Sequence, residues 1–408
     1  MIPALVLGVA MQTFAHLSLQ DAERAALAHA PDVAAASAKV DEARALFHAA
    51  KASYGPALFA NYAASPQAGN IPGTTVQQRL TTLGAQVTLG DLLAYAPAAA
   101  QANAALSAAQ FDLANARRAE RIVAIGDYYS ALAAHARLGA RASALAAAQA
   151  DERAARLRFG AGDAPKLDVV RAEVAFAQAQ AALALARADA QNADDALAAE
   201  LGIDPAQLVT IPARGDEVLA SLPDAPTAVR VALASRPELA SARANVVAEE
   251  RAVEVAQRGS VPLVSVTVGE TSGYDTGIPV RGPSLGAQMT LPLGGAAHDR
   301  VLAERARLAQ ARALYEKARR AIVSEVGSAA RTTAAQRAAL DAAERALREA
   351  RAEVDATQIG YRSGASSSLD VESARATYVQ TLVTEITARY GFAQAAATLQ
   401  LEIGDVHA

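Results

Sequence analysis

The sequence consists of two copies of one unit, and this duplication covers nearly the whole chain. Residues 21–64 match residues 227–270 at an offset of 206, and LGAQVTL at 83–89 matches LGAQMTL at 285–291 at an offset of 202. A chain that repeats itself builds the same supersecondary structure each time. The expected segments are a first repeat at 17–202, a proline-containing linker at 203–226 and a second repeat at 227–404.

A glycine-containing turn interrupts each repeat. Residues 156–168 read RLRFGAGDAPKLD, and residues 359–370 read IGYRSGASSSLD. At an offset of 202 the matching positions are Phe159 and Tyr361, Gly162 and Gly364, and Asp168 and Asp370. Because glycine adopts positive φ without steric cost, Gly160 and Gly162 are predicted to reverse the chain between two helices. The predicted turns span 158–166 and 360–368.

Alanine supplies most of the apolar content. The 408 residues are 52% hydrophobic but only 4% aromatic, and they include neither Trp nor Cys. Alanine has the highest helix propensity and lets helices approach closely. The fold is therefore expected to be mainly α, with very long helices near 97–157 and 297–359. The formal charge of −4 provides no basic field for nucleic acid, so nucleic acid is excluded as a partner.

Two β-hairpins are predicted from alternating polarity, at 57–90 and 262–292. The stretch 82–90 reads TLGAQVTLG, in which every second residue is apolar. Such alternation suits a strand that crosses a bilayer, and it suits equally the half-buried sheet of a soluble domain. Four strands cannot close a barrel, which needs about eight, and an open sheet edge cannot face lipid. If the strands cross a membrane, several chains must therefore pool them. The predicted strands are 57–65, 82–90, 262–270 and 284–292.

The N-terminal residues 1–15 form an apolar segment that ends in Thr13, Phe14 and Ala15. The segment is similar to the hydrophobic part of a secretory signal peptide with a small-residue cleavage site, although no positive charge precedes it. The alternative interpretation is the start of a buried helix. Residues 1–15 are therefore a candidate signal peptide.

The sequence lacks the residue patterns of the common catalytic and metal-binding sites. The GAG at 160–162 does not have the glycine spacing of a nucleotide-binding fingerprint. The six histidines show no metal-ligand spacing, and no serine nucleophile elbow accompanies a histidine and an aspartate. We predict no enzymatic activity, no cofactor and no bound metal.

The order of elements in each repeat resembles that of the TolC-like outer-membrane efflux proteins: helix, helix, hairpin, helix, turn, helix. The LGAQVTL-type strands and the turns of the form (F/Y)xxGxxxxLD are part of this resemblance, which covers residues 17–404. It implies a homotrimer in the Gram-negative outer membrane, in which twelve pooled strands form a β-barrel and the helices form an α-helical barrel in the periplasm. The implied partners are outer-membrane lipid, a periplasmic adaptor protein and an inner-membrane pump. The chain would then be a passive exit channel for efflux or type I secretion.

The resemblance also assigns roles to the two turns. The residues that would dock the adaptor at the periplasmic tip are Phe159, Gly160, Gly162, Tyr361 and Gly364. The residues that would form the gate are Asp168, Asp370 and Tyr361. Asp168 and Tyr361 would form a latch, and three copies of Asp370 would line a constriction that favours cations. The alternative for both aspartates is a negative charge that stabilises a helix N-terminus.

Two positions depart from the family pattern. The resemblance implies a second constriction carboxylate at position 373, where this chain has Ser373, and a latch arginine at position 366, where it has Ser366. The neighbouring Glu372 is expected to face elsewhere. The gate is therefore expected to be held more weakly than in relatives that have the latch arginine and the second carboxylate, or in a different way.

A soluble coiled-coil scaffold is the alternative function, because the same helices and hairpins could mediate assembly in water. This alternative predicts that no signal peptide is cleaved. It also predicts a product that dissolves without detergent. An enzyme would need a polar constellation that the sequence does not offer.

Overall fold

The computed structural model describes residues 17–52, 56–68, 75–204, 223–259, 263–275, 278–290 and 295–404. Their helices and strands follow in the order α1 (Leu19–His29), α2 (Pro31–Ala52), β1 (Ala57–Ala68), β2 (Thr75–Thr88), α3 (Leu89–Ala161), α4 (Lys166–Leu201), α5 (Ala225–Ser235), α6 (Pro237–Arg258), β3 (Leu263–Asp275), β4 (Ile278–Thr290), α7 (Ala296–Arg362) and α8 (Ser368–Ile403). The predicted fold class, mainly α with a small β part, is confirmed. The candidate signal peptide at 1–15 and residues 205–222 of the linker lie outside the described residues.

The chain forms two compact units. The described residues of 1–34, 115–236 and 321–408 belong to the first unit, and those of 35–114 and 237–320 belong to the second. The long helices α3 and α7 contribute residues to both units. Both glycine turns lie in the first unit, and all four strands lie in the second.

The core of the first unit is built from α1, α3, α4 and α8. Ala22 and Ala26 of α1 are fully buried, which allows this helix to approach its neighbours closely. Tyr128 and Tyr129 of α3 are among the few large side chains, and their rings pack edge to face with centroids 5.5 Å apart. The hydroxyl of Tyr128 donates a hydrogen bond to the carbonyl oxygen of Leu17 at 3.3 Å. Small residues thus set the helix spacing, and a few aromatic residues fill the remaining space.

The four strands form one antiparallel sheet in the order β1-β2-β3-β4. The central pair, β2 and β3, joins the hairpins of the two repeats, and Gly84 faces Gly269 within it. A Cβ at Gly84 would lie 2.6 Å from the carbonyl oxygen of Val268, and one at Gly269 would lie 2.5 Å from that of Leu83. The ring of Phe59 reaches within 3.0 Å of the Cβ position at Gly84. The central pairing therefore depends on glycine at both positions.

The strands extend further from the helices than the sequence predicts. β2 begins at Thr75 and β4 at Ile278, both within the segments predicted to be hairpin loops, and the start of β4 contains Pro and Gly. The outermost pairs are Ala68 with Thr75 and Asp275 with Ile278. Pro279 is compatible with pairing because it lies at the start of β4, next to the outermost pair. At the other end of β2, α3 begins at Leu89 instead of near 97 and continues through Pro97.

One face of the sheet is largely apolar and exposed, and it also carries the ion pair of Arg281 with Glu270. It carries Leu58, Val268, Leu285 and Met289, whose exposed fractions are 88%, 58%, 80% and 61%. The opposite face carries mostly small and polar residues, together with the ring of Phe59 beside Gly84. The hydroxyl oxygens of Thr82 and Thr271 share a hydrogen bond of 3.0 Å on this face, across β2 and β3. A one-sided sheet in water packs its apolar face on a core. In this sheet, by contrast, the apolar face is exposed.

Candidate functional site

The first turn ends α3 with a Schellman motif. Gly162 has a φ of 82°, and its N–H donates to the carbonyl oxygen of Phe159 at 3.1 Å. The N–H of Asp163 donates to the carbonyl oxygen of Arg158 at 2.8 Å. These two bonds satisfy carbonyl groups that the helix end would otherwise leave free. Because positive φ is unfavourable for residues with a side chain, glycine at 162 fixes the reversal.

The second turn ends α7 in the same way. Gly364 has a φ of 80°, and its N–H donates to the carbonyl oxygen of Tyr361 at 3.2 Å. The N–H of Ala365 donates to the carbonyl oxygen of Gly360 at 2.7 Å. The matching turns in the two halves of the sequence therefore have matching backbone conformations.

Gly160 does not reverse the chain. It lies inside α3, which continues to Ala161, and it is not among the described glycines with positive φ. A Cβ at this position would meet nothing within 4 Å. Of the two glycines predicted to form the first turn, only Gly162 is required by the backbone.

Asp370 lies in the first turn of α8 and forms a capping box with Ser367. The hydroxyl oxygen of Ser367 accepts from the Asp370 N–H at 3.3 Å, and Oδ2 of Asp370 accepts from the Ser367 N–H at 2.7 Å. The backbone hydrogen bond and then the hydroxyl hydrogen bond from Ser367 lower the pKa of the Asp370 carboxyl, because both stabilise its charged form. Asp370 is exposed, as is Ser373 three residues later. The residue is thus a charged helix cap within one chain.

Asp168 and Tyr361 have separate partners within one chain. The hydroxyl of Ser368 donates to Oδ1 of Asp168 at 2.8 Å. Nη1 of Arg158 donates to the hydroxyl oxygen of Tyr361 at 2.9 Å, and the guanidinium carbon lies 5.1 Å from the centre of the ring. A direct latch between Asp168 and Tyr361 is not among the contacts of the described residues. Each residue nevertheless joins the first helical hairpin, α3–α4, to the second, α7–α8.

A third contact joins the two hairpins further along the helices. Arg375 of α8 forms an ion pair with Asp151 of α3. Glu372 lies near Arg171 and Asp168 of α4, so it faces the first hairpin. Burial raises the pKa of the Glu372 carboxyl, and the nearby Asp168 adds to the rise while Arg171 opposes it. The charged residues after the second turn thus interact with α3 and α4.

Apolar side chains around both turns are exposed. The exposed fractions are 76% for Leu157, 46% for Phe159, 54% for Leu167, 66% for Ile359 and 51% for Leu369. Exposed apolar patches of this kind mark surfaces that bind another macromolecule. The two turns together therefore present a candidate interaction surface.

Ser368 and Arg375 have no role at this site assigned from the sequence, and Arg158 is predicted only as part of the turn at 158–166. Their partners lie about 200 residues away in the chain, so no local spacing indicates the contacts. For Arg158 the sequence offers one indication: the two repeats differ at this position, because Arg158 aligns with Gly360. Among the described residues, no group of three or more His, Asp and Glu side chains is placed to hold a metal ion.

Comparison with known proteins places the chain in a family. The family model for outer membrane efflux proteins matches residues 23–203 and 228–405. Protein CyaE of Bordetella pertussis is 28% identical over 352 residues, which cover 81% of this chain and 72% of that protein.

Solved structures show the same fold. The outer-membrane channel OprN superposes with a TM-score of 0.81 at 22% identity, covering 96% of this chain and 91% of its own. The outer membrane protein VceC of Vibrio cholerae gives a TM-score of 0.79 at 20% identity, with coverages of 95% and 96%. Since the family model spans both repeats, the chain belongs to the outer membrane efflux protein family and is an exit channel of the outer membrane.

Proposed function

We propose that three copies of this chain pool their strands into one barrel and their helices into a tunnel, which carries cargo of an efflux or type I secretion system out of the periplasm. The exposed apolar face of the sheet is the observation that supports this proposal most strongly. Its large side chains, among them Leu58 and Leu285, would contact lipid, and the small polar face would line the lumen. A soluble scaffold would instead expose this apolar face to water.

The need for several copies follows from the edges of the sheet. One chain pairs its strands in the order β1-β2-β3-β4, so β1 and β4 each have an edge without a partner strand among the described residues. Such edges are not tolerated in lipid, and about eight strands are needed to close a barrel. Four strands from each of three copies give twelve, and β1 of one copy would pair with β4 of the next.

The surface of α4 is consistent with contact between neighbouring copies. Its side chains Leu167, Val170, Val174 and Leu185 are exposed by 54%, 44%, 51% and 69%. The helix also contains an 18-residue stretch apolar enough to cross a membrane by composition alone. In a helix of the tunnel these apolar residues would pack on the adjacent copy.

The two turns of each copy would form the periplasmic tip. The exposed apolar groups beside Phe159 and Tyr361, with the reversals at Gly162 and Gly364, would dock a periplasmic adaptor, and the exposed Gly160 would leave room for it. An inner-membrane pump would supply the energy. Asp168, Tyr361 and Asp370 would control the opening at this end.

Replacement of Asp370 with asparagine tests the constriction. Three carboxylates near the axis attract cations, so Asp370→Asn should lower the cation preference of the purified channel in planar bilayers, measured as the reversal potential in a salt gradient. Asp370→Glu keeps the charge and should keep the preference.

Two results would count against these assignments. A reversal potential that is the same in Asp370→Asn and in the parent would leave Asp370 as a helix cap without a role in selectivity. A purified parent protein that never conducts ions would refute the exit channel itself.

A further inference from the structure

The apolar face of the sheet changes in character along the strands. On β4 its residues from Met289 to Pro283 are apolar, and the first charged residue after them is Arg281. On β2, counted from the end that leads into α3, the first charged residue of this face is Arg79. Both arginines are exposed. The apolar part of the face therefore ends at a similar level on both strands.

This level matches the height at which a strand of a membrane barrel leaves the hydrocarbon. Arg79 is nine positions from Thr88, the helix end of β2, and Arg281 is nine positions from Thr290, the helix end of β4. Nine positions extend about 30 Å along a strand, which is about 23 Å across the bilayer at the usual strand tilt of about 40°. The apolar band of such barrels is about 25 Å tall. Since the helices lie in the periplasm, this level is that of the head groups in the outer leaflet.

Two tyrosines flank Arg79 on the same face. Tyr274 of β3 lies directly opposite Arg79 in the register. Tyr62 of β1 lies opposite Thr81, which makes it a diagonal neighbour of Arg79. The exposed fractions are 57% for Tyr274 and 64% for Tyr62. Tyrosines form belts at the surface of a membrane, so their position supports the height assigned to the arginines.

One carboxylate lies beside Arg281. Oε1 of Glu270 accepts a hydrogen bond from Nε of Arg281 at 2.7 Å, and both side chains are exposed. The terminal nitrogens of Arg281 donate no hydrogen bond to a described residue. Because an exposed ion pair contributes little free energy, an anion from the membrane can bind Arg281 beside Glu270 or in its place. We refer to Tyr62, Arg79, Glu270, Tyr274 and Arg281 together as the outer patch.

The two arginines of the outer patch lie close enough to bind one ligand molecule. Strand β3 separates β2 from β4, and the register places Arg281 two positions further along than Arg79. With a strand spacing of about 4.8 Å and a rise of about 3.4 Å per residue, their Cα atoms are about 12 Å apart. Two long side chains that start at this distance can bind one phosphate group between them or two phosphate groups of the same molecule.

We propose that the outer patch binds the phosphate groups of a glycolipid in the outer leaflet, and that Arg79 and Arg281 supply the donors. The proposal rests on the exit-channel function proposed above. The guanidinium group matches phosphate oxygens in both geometry and charge, and basic residues at a membrane surface favour anionic lipids. The tyrosines place their rings against the acyl chains and their hydroxyls among the head groups. A zwitterionic phospholipid fits less well, because its own ammonium group neutralises its phosphate.

Binding of rough lipopolysaccharide to the purified, detergent-extracted trimer tests the proposal, with surface plasmon resonance as the readout. The affinity should fall about fivefold in Arg79→Gln and in Arg281→Gln, the factor that corresponds to about 1 kcal/mol for a basic residue at a membrane surface. The double variant should bind more weakly than either single variant. Arg281→Lys keeps the charge but loses the planar fork, and its affinity should lie between those of Arg281→Gln and the parent.

Arg153→Gln is the matched control variant. Arg153 is an exposed arginine of α3 that lies outside the sheet, so its loss should leave the affinity unchanged. Lipopolysaccharide from which the phosphates have been removed should bind the parent weakly, and inorganic phosphate at the same concentration should not displace the intact glycolipid. Equal affinity of the double variant and the parent, equal binding of the dephosphorylated form, or displacement by inorganic phosphate would each overturn the proposal.

Ion conduction by the same preparations separates this proposal from the exit-channel function. The double variant should conduct as the parent does, because Arg79 and Arg281 lie on the face opposite the lumen. A parent that conducts but binds the phosphorylated and dephosphorylated forms equally would overturn the glycolipid site and leave the exit channel intact. A parent that never conducts would refute the exit channel.

Discussion

Replacement of Gly269 with valine should abolish assembly of the channel in the outer membrane. A Cβ at this position would lie 2.5 Å from the carbonyl oxygen of Leu83 and 2.9 Å from the Cα of Gly84. These are backbone atoms of β2, so the collision cannot be relieved by rotating a side chain. Because the pairing of β2 with β3 joins the two hairpins, its loss would leave two-stranded pieces with open edges, which lipid does not tolerate.

The control for this prediction is another glycine of the same sheet. Gly282 lies in β4, and a Cβ there would meet nothing within 4 Å. Gly282→Val should therefore yield a detergent-extracted trimer in the amount obtained for the parent, whereas Gly269→Val should yield essentially none on size-exclusion chromatography. A normal yield of trimer from Gly269→Val would show that the central pairing of the sheet is not needed for assembly.

Replacement of Gly162 or Gly364 with valine should remove transport while leaving the barrel intact. Both glycines have φ near 80°, a conformation that costs a residue with a side chain roughly 1–2 kcal/mol and is particularly unfavourable for a β-branched one. Neither position is crowded, since a Cβ would meet nothing within 4 Å. The expected defect is therefore a local change of the turn, and with it loss of adaptor docking.

Transport by these variants is best measured in a host that lacks its own exit channel and carries the adaptor and pump that serve this protein. Efflux should fall to the level of the empty host, crosslinking to the adaptor should be lost, and trimer yield should be unchanged. Gly160→Ala is the matched control, because Gly160 is helical and has open space around it. Efflux and adaptor crosslinking at parent levels in both valine variants would remove the turns from the docking site.

Helix ends could be predicted from the sequence where they carry local signals. The predicted bounds of α4, 166–201, agree with the structure, in which Pro165 precedes the helix and Gly202 ends it with a φ of 66°. Gly162 and Gly364 were predictable for the same reason. In each case the residue type and the backbone conformation are linked within one turn of the chain.

The outer parts of the strands and the contacts between the two helical hairpins were not predictable in this way. The start of β4, from Ile278 onward, contains the Pro and Gly residues that normally mark loops. It forms a strand in the structure because β3 extends beside it. Arg158 and Tyr361 are 203 positions apart. Their contact depends on which helix ends become neighbours in the fold, and neither periodicity nor spacing carries that information.

Single cysteines at adjacent positions of β4 test whether the apolar face of the sheet contacts lipid. Leu285 lies on the apolar face and is 80% exposed, whereas Ser284 lies on the opposite face. In proteoliposomes, a fluorophore on cysteine at position 285 should be quenched by brominated lipid and should react poorly with a water-soluble maleimide. Cysteine at position 284 should react readily with the maleimide and escape the lipid quencher. The reverse pattern, with position 285 in water and position 284 in lipid, would show that the apolar face of the sheet does not contact lipid.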